Sequence, residues 1–433
     1  MALSFRGGIH PEEAKRSAAC PLEEMTAGDF VTIPLQQHIG VCASALVKAG
    51  DFVKKGQKIA DGDGLCCPIH ASVSGRVSSI GKVVTPAGDG LGIVIENDYR
   101  EELCSTVQPF PKSLAEATTE ELIGWIREKG IVGFGGATFP TWVKVQGAVG
   151  KVRRVVINCA ECEPYLTSNH RLLVERAREV ILGVRILNRI IGCDRAVFAI
   201  EDNKPDAAKE LVSLLRGQKE ISVSVFKTKY PQGDERQLVR ALLKKEIPRG
   251  KLPADLGIVI FNAETCWAVY RAFTEGIPAI TRVVTVSGDC VHSPANLLVP
   301  IGVSFGEVFQ RCGGFVRPPD KIVSGGPMMG QAQWSTSAPI TKGVGGILAL
   351  SSPIYQAGNC IHCGRCVRAC PMHLMPLELY RSISTGNLSE AEHYHVTVCN
   401  ECGCCTWVCP ARIPILQNIR IGKDMLRAKQ QKR

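Results

Sequence analysis

Three features are absent from this sequence of 433 residues. No apolar run reaches the roughly 18 residues that a transmembrane helix needs, so no membrane span is predicted. The first residues, Met-Ala-Leu-Ser-Phe-Arg-Gly-Gly, show no charged segment followed by an apolar one, so no export signal is expected. Aromatic residues make up only 6% of the chain and form no pattern of a base-stacking platform, so nucleic acid is not an expected partner.

Cysteine, by contrast, is abundant. The chain has 20 cysteines and a formal net charge of +10. Without an export signal, this many cysteines predict a reducing, cytoplasmic location and metal ligation rather than disulfides. The basic excess favours an acidic protein partner.

Eight of the cysteines form two runs of identical spacing, at residues 360–370 and 399–409, each followed by proline. The spacing C-x2-C-x2-C-x3-C-P is the bacterial signature of two [4Fe–4S] clusters, in which the fourth cysteine of each run ligates the other cluster. The predicted ligand sets are Cys360, Cys363, Cys366 and Cys409 for one cluster and Cys399, Cys402, Cys405 and Cys370 for the other. Cys404 is off this register and is interpreted as a buried or spare thiol. A zinc ribbon or disulfides are the weaker alternatives, so the runs predict a protein that moves single electrons.

The rest of the sequence divides into segments of different periodicity. Residues 1–110 alternate short apolar stretches with Gly-Asp and Asp-Gly turns, which predicts an all-β sandwich or barrel. Their Val-x-x-Gly-Asp-x-Val-x-x-Gly-Gln segment resembles the barrel–sandwich hybrid of lipoyl carriers, without a carrier lysine at the matching hairpin tip. Residues 111–278 alternate strands and helices, which predicts a Rossmann-like α/β domain. Residues 279–345 are interpreted as a β-grasp domain, and residues 346–433 as a helical ferredoxin-type domain.

Within the α/β segment, strands and helices are predicted from the hydrophobic periodicity. The predicted strands are 152–158, 196–201, 221–227 and 257–261. The predicted helices are 121–129, 168–190, 205–215, 235–245 and 264–275. A capping box formed by Thr118 and Glu121 begins the first helix.

Four loops at strand exits carry residues suited to a cofactor. Glycines let the backbone approach a phosphate or a ring closely, whereas carboxylates at a strand exit are either ligand contacts or solvated rim residues. The candidates are Gly133, Gly135, Gly136, Phe139, Thr141 and Lys144 in the first loop, and Asn158, Glu161 and Glu163 in the second. Those of the other two loops are Tyr230, Gly233 and Glu235, and then Asn262, Glu264 and Thr265. Glu264 could also simply cap the helix that follows it.

In order and spacing these loops resemble those of the flavin- and NADH-binding subunit of respiratory complex I. The resemblance implies that they surround FMN, with NADH stacked on its ring. Phe134, Thr138 and Ala160 stand where that family has arginine, glycine and aspartate. These departures bear on NADH binding more than on flavin binding.

Over nearly its whole length the chain resembles RnfC-type proteins, the peripheral electron-input subunits of the Rnf ion-translocating complex. The motifs that carry this resemblance are Phe5-Arg-Gly-Gly-Ile-His-Pro, His70-Ala-Ser-Val-Ser-Gly, Ala160-Glu-Cys-Glu-Pro-Tyr-Leu-Thr, Gly325-Gly-Pro-Met-Met-Gly and both cysteine runs. The resemblance implies a multidomain α/β protein with barrel–sandwich, flavin, β-grasp and two-cluster domains, using FMN, NAD(H) and two [4Fe–4S] clusters. It also implies a membrane complex as exit partner, ferredoxin as the more distant donor or acceptor, and a position on the cytoplasmic face of the membrane.

Cys66 and Cys67 stand where RnfC proteins usually have small residues without thiols. A bond between adjacent cysteines would be strained and easily reduced, and His70 would raise the thiolate fraction. One interpretation is a thiol relay to a partner's active site, as the RnfC-like electron-transfer protein associated with proline reductase would imply. The other is two small core residues. A further class of function is an adaptor whose flavin site has decayed and whose clusters only relay electrons.

Overall fold

The N-terminal part of the chain is a sandwich of two antiparallel sheets. The computed structural model describes residues 3–352 and 355–431. The strands are β1 (Leu22–Glu24), β2 (Phe30–Pro34), β3 (Ser44–Ala45), β4 (Phe52–Val53), β5 (Lys58–Asp61), β6 (Ile69–His70), β7 (Gly75–Thr85) and β8 (Gly88–Asn97). The two sheets have the orders β2-β8-β7-β4 and β3-β5-β6. Val31 and Ile33 alternate with more exposed neighbours along β2, so one face of this strand is buried.

The second unit is a parallel sheet flanked by helices. Its elements are α1 (Thr119–Glu128), α2 (Thr141–Gln146), β9 (Arg154–Cys159), α3 (Ser168–Glu175), α4 (Ala177–Ile191), β10 (Ala196–Glu201), α5 (Pro205–Leu214), β11 (Ile221–Phe226), α6 (Glu235–Leu243), β12 (Ile258–Asn262) and α7 (Ala263–Thr274), with a 3₁₀ turn at Pro253–Leu256. The strand order is β11-β10-β9-β12. The chain therefore reverses its direction of winding between β9 and β12, and such sheets bind ligands outside the carboxyl ends of the strands at that point.

Most local predictions for this unit agree with the structure. In the predicted capping box, Glu121 N donates to Thr118 Oγ1 at 3.2 Å and Thr118 N donates to Glu121 Oε2 at 2.9 Å. The single helix predicted at 168–190 is wrong, because α3 and α4 are separate helices. At Arg176 the backbone leaves the helical region, with φ at −130°, so the two helices can lean on different neighbours.

The third unit is a mixed sheet that recruits a strand from the start of the chain. Its elements are β13 (Thr281–Ser287), β14 (Ala295–Pro300), α8 (Phe305–Arg311), β15 (Lys321–Ser324), β16 (Gln331–Gln333) and β17 (Gly346–Leu350), in the sheet order β1-β14-β13-β17-β15-β16. Phe305 and Phe309 of α8 lie in one apolar core with Val31 and Ile33 of β2. The first and third units therefore share a core. The boundaries at 110, 278 and 345 stay predictions.

The last unit is helical and contains both cysteine runs. Its helices are α9 (Arg365–Ala369), α10 (Pro376–Ser384), α11 (Leu388–His393), α12 (Cys404–Trp407) and α13 (Ile415–Gln431), with a 3₁₀ turn at Val396–Val398. In the described part of the chain, no helix combines the length and the apolar character needed to cross a membrane.

A buried lysine joins the first three units. Lys342 is 0% exposed, and its Nζ donates to the carbonyl oxygens of Pro68 at 2.8 Å and Gly130 at 2.7 Å. Burial lowers the pKa of Lys342 to about 8. Because an unpaired buried ammonium is costly, these two carbonyls fix where the three units meet.

Cys66 and Cys67 lie in this same region of the core. Both are 0% exposed. Burial raises the pKa of the Cys66 thiol, and it raises that of Cys67 to about 11. The imidazole nearest to them is His38, whose Nε2 lies 3.7 Å from Cys66 Sγ and accepts a bond from Cys67 N at 3.0 Å. Burial also holds the pKa of His70 well below its usual value, so His70 is not the activating group that the sequence suggested. This geometry favours the interpretation as core residues, and the relay stays a prediction.

Alkylation distinguishes the two interpretations of this pair. Native protein treated with iodoacetamide at pH 8 should be labelled at the exposed Cys42, while Cys66 and Cys67 react at least tenfold more slowly, because both are buried and protonated. Peptide mass spectrometry before and after unfolding measures this. Labelling of Cys67 at the rate of Cys42 would instead support a thiol relay.

Candidate functional site

One large cavity lies outside the carboxyl ends of β9 and β12. Its volume is about 770 Å³, within the range of about 300–1,000 Å³ typical of small-molecule sites. Eight of the predicted cofactor-binding residues line it, and they come from all four loops. They are Gly135, Gly136, Asn158, Glu161, Glu163, Tyr230, Gly233 and Asn262. The sheet topology thus brings together residues that are more than a hundred positions apart in the sequence.

The other seven predicted residues lie behind this lining and support it. Gly133 N donates to Phe139 O at 2.9 Å and closes the first loop. Phe134 N donates to Thr265 Oγ1 at 2.9 Å, which ties that loop to α7. The remaining four are Thr141, which is buried at the start of α2, Lys144 and Glu235, which form an ion pair at 2.5 Å, and Glu264.

The glycines of the first loop fit a ring or a phosphate at close range. Gly136 has φ at +101°, and a Cβ added there would meet no protein atom within 4 Å, although the residue lines the cavity. A Cβ on Gly135 would approach Asn262 at 3.5 Å. A side chain at Gly136 would therefore fill space that a cofactor could occupy, which is the behaviour expected of a flavin-binding loop.

Two departures from the complex I pattern have a visible structural consequence. Thr138 has φ at +49°, a conformation that favours glycine and is strained for a β-branched residue. Phe134 is buried, and the guanidinium of Arg282 stacks on its ring at 4.6 Å. Arg282 also lines the cavity, so a cation from the third sheet stands close to the position where that pattern has arginine.

Arg282 is paired with Glu264 in the interior. Arg282 Nη1 lies 2.6 Å from Glu264 Oε2, and Val283 N donates to Glu264 Oε1 at 2.9 Å. Burial raises the pKa of Glu264, and the guanidinium counteracts this effect. Glu264 therefore holds β13 against α7 and does not reach the cavity.

Two buried lysines hold the backbone of the second loop. Lys15 Nζ donates to the carbonyl oxygens of Glu161 and Glu163, both at 2.8 Å, and to that of Leu166 at 2.6 Å. Lys204 Nζ donates to the carbonyl oxygen of Ala160 at 2.6 Å. The carbonyls of this loop therefore point away from the cavity and into the protein.

The two carboxylates of the second loop have different surroundings. Glu161 accepts bonds from the backbone amides of Asn169 at 2.7 Å and His170 at 3.1 Å, at the start of α3. Glu163 accepts bonds from the amides of Met328 at 3.0 Å and Met329 at 2.9 Å. Burial raises the pKa of Glu163 to about 7, although these amides act in the opposite direction. The wall of the cavity thus carries a carboxyl group that changes charge near neutral pH.

Many residues of the lining were not predicted as site residues. They come from the first unit (Gln36, Gln37, His38, Ile39, Thr85, Pro86 and Ala87), from the third unit and its connectors (Arg282, Ser324, Gly325, Gly326, Met329, Gly330, Gln331, Thr341, Gly343, Val344 and Gly345) and from the second cysteine run (Asn400 and Cys402). Glycine-rich segments gave the only local signal, and the sequence analysis interpreted those as connectors.

The two cysteine runs have the same local structure. In each run the amide two residues after the first cysteine donates to that cysteine's Sγ at 3.4 Å. A glycine in the left-handed region precedes each short helix, Gly364 with φ at +68° before α9 and Gly403 with φ at +77° before α12. The repeat in the sequence is therefore also a structural repeat.

The fourth cysteine of each run lies near the other run. Burial raises the pKa of Cys370 to about 11, and the nearby thiols of Cys402 and Cys399 add to this. Burial likewise raises the pKa of Cys366, with Cys363 and Cys409 as neighbouring thiols. All twenty cysteines are free thiols. No three acidic, histidine or cysteine side chains of the described residues converge as ligands of a single ion would, but the thiolates of a cluster bind separate irons.

The cavity and the second cysteine run meet at Tyr230. This side chain is 1% exposed, and its hydroxyl donates to the carbonyl oxygen of Cys402 at 2.8 Å. Cys402 itself lines the cavity. Cys404 is buried next to it and belongs to the same small apolar cluster.

Family models match all four units. Residues 3–100 match the RnfC barrel sandwich hybrid domain and residues 126–271 the Nuo51 FMN-binding domain. Residues 283–332 match the SLBB domain and residues 359–413 the 4Fe-4S dicluster domain. The predicted architecture is confirmed, as are FMN and two [4Fe–4S] clusters as cofactors. The matched dicluster domain also decides against the zinc alternative.

Curated relatives and one solved structure extend this result. The chain is 45% identical over 383 residues to an RnfC-type component of the proton-translocating ferredoxin:NAD(+) oxidoreductase complex of Clostridium ljungdahlii, covering 87% of this chain and 83% of that protein. It is 41% identical over 444 residues to the corresponding component of the ion-translocating oxidoreductase complex of Rhodobacter capsulatus, covering 100% and 85%. A chain of an NAD+-reducing [NiFe]-hydrogenase in the H2-reduced state shares the fold, with a TM-score of 0.51 at 17% identity over 72% of this chain and 62% of that one. The protein is thus an electron-transfer flavo-iron–sulfur protein, and the chain belongs to the RnfC family.

Proposed function

We propose that this protein passes electrons between NAD(H) and partner subunits of an ion-translocating oxidoreductase complex. One observation carries the proposal: a single cavity is lined both by the flavin loops and by Cys402 of a cluster ligand set. The names of the relatives, which include ferredoxin:NAD(+) oxidoreductase, support NAD(H) as the donor or acceptor. They also support ferredoxin as the more distant redox partner and a peripheral position on a membrane complex.

The residues that would hold FMN are those of the four loops that face the cavity. Gly135 and Gly136 would accept the cofactor at close range, while Asn158 and Asn262 border it at the ends of β9 and β12. FMN would supply the exchange of a hydride for two single electrons, and the clusters carry electrons one at a time. The chain's own contribution is to position these groups and to set the charge around them.

The two proposed clusters differ in their surroundings. Cys402 and Cys370, of the second ligand set, lie on the side of the cavity. In the first set, Ile361 lies between two ligands and is 67% exposed. Arg365 and Arg368 beside it are also exposed. This supports an electron path that leaves through the first set toward an acidic partner.

Flavin content and NADH titration test the proposal directly. Anaerobically purified protein should contain about one FMN per chain, and NADH should bleach the flavin absorbance before the cluster absorbance falls. Gly136→Ala should lower FMN affinity at least tenfold, because its Cβ enters the space of the cofactor. Gly150→Ala is the matched control, since Gly150 also has positive φ and open space around its Cα but lies outside the cavity. Intact clusters without flavin or response to NADH would favour the adaptor alternative.

Paired substitutions test the crossed ligation. Both residues of the double variant Cys370→Ala/Cys399→Ala belong to one proposed cluster, so iron should fall from about eight to about four per chain. The double variant Cys370→Ala/Cys366→Ala should lose nearly all iron. If each run held its own cluster, the two iron contents would be exchanged. Cys404→Ala should retain both clusters, because Cys404 is not a proposed ligand.

The charge of Glu163 should tune the flavin. With a pKa of about 7, its carboxyl group is mostly neutral at pH 6 and charged at pH 8. Glu163→Gln removes a negative charge only at the higher pH, which favours the reduced, more negative flavin. The midpoint potential should rise by about 30 mV at pH 8, or about 1.4 kcal/mol for two electrons, and change little at pH 6. Spectroelectrochemical titration measures this, with the exposed Glu120→Gln as control. An equal shift at both pH values would contradict the assignment.

A further inference from the structure

The segment of residues 5–9, the N-terminal strap, runs between the flavin domain and the first cysteine run without forming a helix or a named strand. We propose that the N-terminal strap is a positioning segment that sets the separation between the flavin cavity and the cluster of Cys370 and Cys402. The inference rests on the proposed function, because it concerns the step between these two cofactors.

On the cluster side, the strap contacts the backbone of a ligand. Gly8 N donates to the carbonyl oxygen of Ala369 at 2.8 Å. Gly7 has φ at +75°, and a Cβ added there would lie 2.7 Å from the carbonyl oxygen of Cys370. No side chain therefore fits between the strap and this cysteine.

On the flavin side, the strap pairs with the loop that contains Tyr230. Ile9 N donates to Tyr230 O at 2.9 Å, and Tyr230 N donates to Ile9 O at 3.0 Å. Gly8 also has φ at +75°, and a Cβ added to it would lie 2.5 Å from Tyr230 O. Both faces of the strap are thus held at backbone contact distance.

These contacts close a ring around one cluster site. The strap contacts Cys370 and Tyr230, and the Tyr230 hydroxyl bonds to Cys402. Cys370 and Cys402 belong to the same proposed ligand set. A displacement of the strap would therefore move both ligands relative to the cavity.

The strap is anchored firmly enough to act in this way. Phe5 is 7% exposed and Ile9 is 4% exposed. Lys229 Nζ donates to Phe5 O at 3.1 Å and lies 4.7 Å from the centre of the Phe5 ring. Such contacts favour a fixed position over a mobile terminus.

The proposal assigns a physical reason to the two adjacent glycines. One electron at a time passes between the reduced flavin and an oxidised cluster, and no atom is transferred, so the rate depends exponentially on their separation. A methyl group on either glycine must push apart the strap and its partner, because the nearest atoms are backbone. A displacement of about 1 Å at a reacting centre can reduce a rate by up to roughly a hundredfold.

The test compares Gly8→Ala with Gly192→Ala in the holoprotein. Gly192 has the same φ of +75°, but a Cβ there would meet nothing within 4 Å, so it controls for backbone strain alone. In stopped-flow measurements with NADH, Gly8→Ala should keep its FMN and iron content and its rate of flavin reduction. The subsequent reduction of the clusters should slow by at least tenfold. Gly192→Ala should behave as wild type in both steps.

Cluster reduction in Gly8→Ala at the rate of the Gly192→Ala control would overturn the inference. Should Gly8→Ala fail to fold, hydrogen exchange of the wild-type holoprotein decides. The amides of Gly8, Ile9 and Tyr230 should exchange as slowly as those of β9, and exchange at the rate of an unstructured peptide would contradict a fixed strap. Failure of the proposed function would look different, since the wild-type flavin would then not respond to NADH.

Discussion

The hydrogen bond from the Tyr230 hydroxyl to the Cys402 carbonyl oxygen marks the contact on which the rest of this structure depends. An electron carrier must hold its cofactors close together, and here the flavin loops and a cluster ligand border one cavity. Because Tyr230 is 1% exposed, the contact lies in the protein interior, where it excludes water and has little freedom to move. The sheet, the third unit and the start of the chain all pack around this point.

Buried lysines fix the surrounding backbone. Lys15, Lys204 and Lys342 each donate to backbone carbonyl oxygens of loops that border the cavity or join the units. Removing the partner of a buried charge costs about 3–5 kcal/mol, so these lysines tolerate little change in the loops they hold. They replace regular secondary structure as the source of order, and this leaves the other side of the second loop free to face a cofactor.

Local sequence signals predicted the local structure well. The Thr118–Glu121 capping box and the strand at 196–201 needed only neighbouring residues, and both are found. The break at Arg176 carried no such signal, because the periodicity of α3 and α4 continues through it. Glu264 and Thr265 looked like binding residues because they follow a strand, yet Arg282 and the backbone of Phe134 turn them into supports. Their partners lie in distant segments, which periodicity cannot reveal.

The sequence by itself determined the cofactor chemistry of this protein, because the spacing of thiols in the two runs and the order of the glycine loops are properties of the chain. Only the tertiary structure decided how these parts are joined. It placed Cys402 and the flavin loops on one cavity, brought the hairpin residues Pro86 and Ala87 to its wall, and buried Cys66 and Cys67 in the core. It also showed why two adjacent glycines stand at positions 7 and 8, where the chain crosses the backbones of Cys370 and Tyr230. The physical reason is that spacing along a chain fixes which atoms can bind one cluster, whereas the distance between two cofactors depends on how separate segments pack.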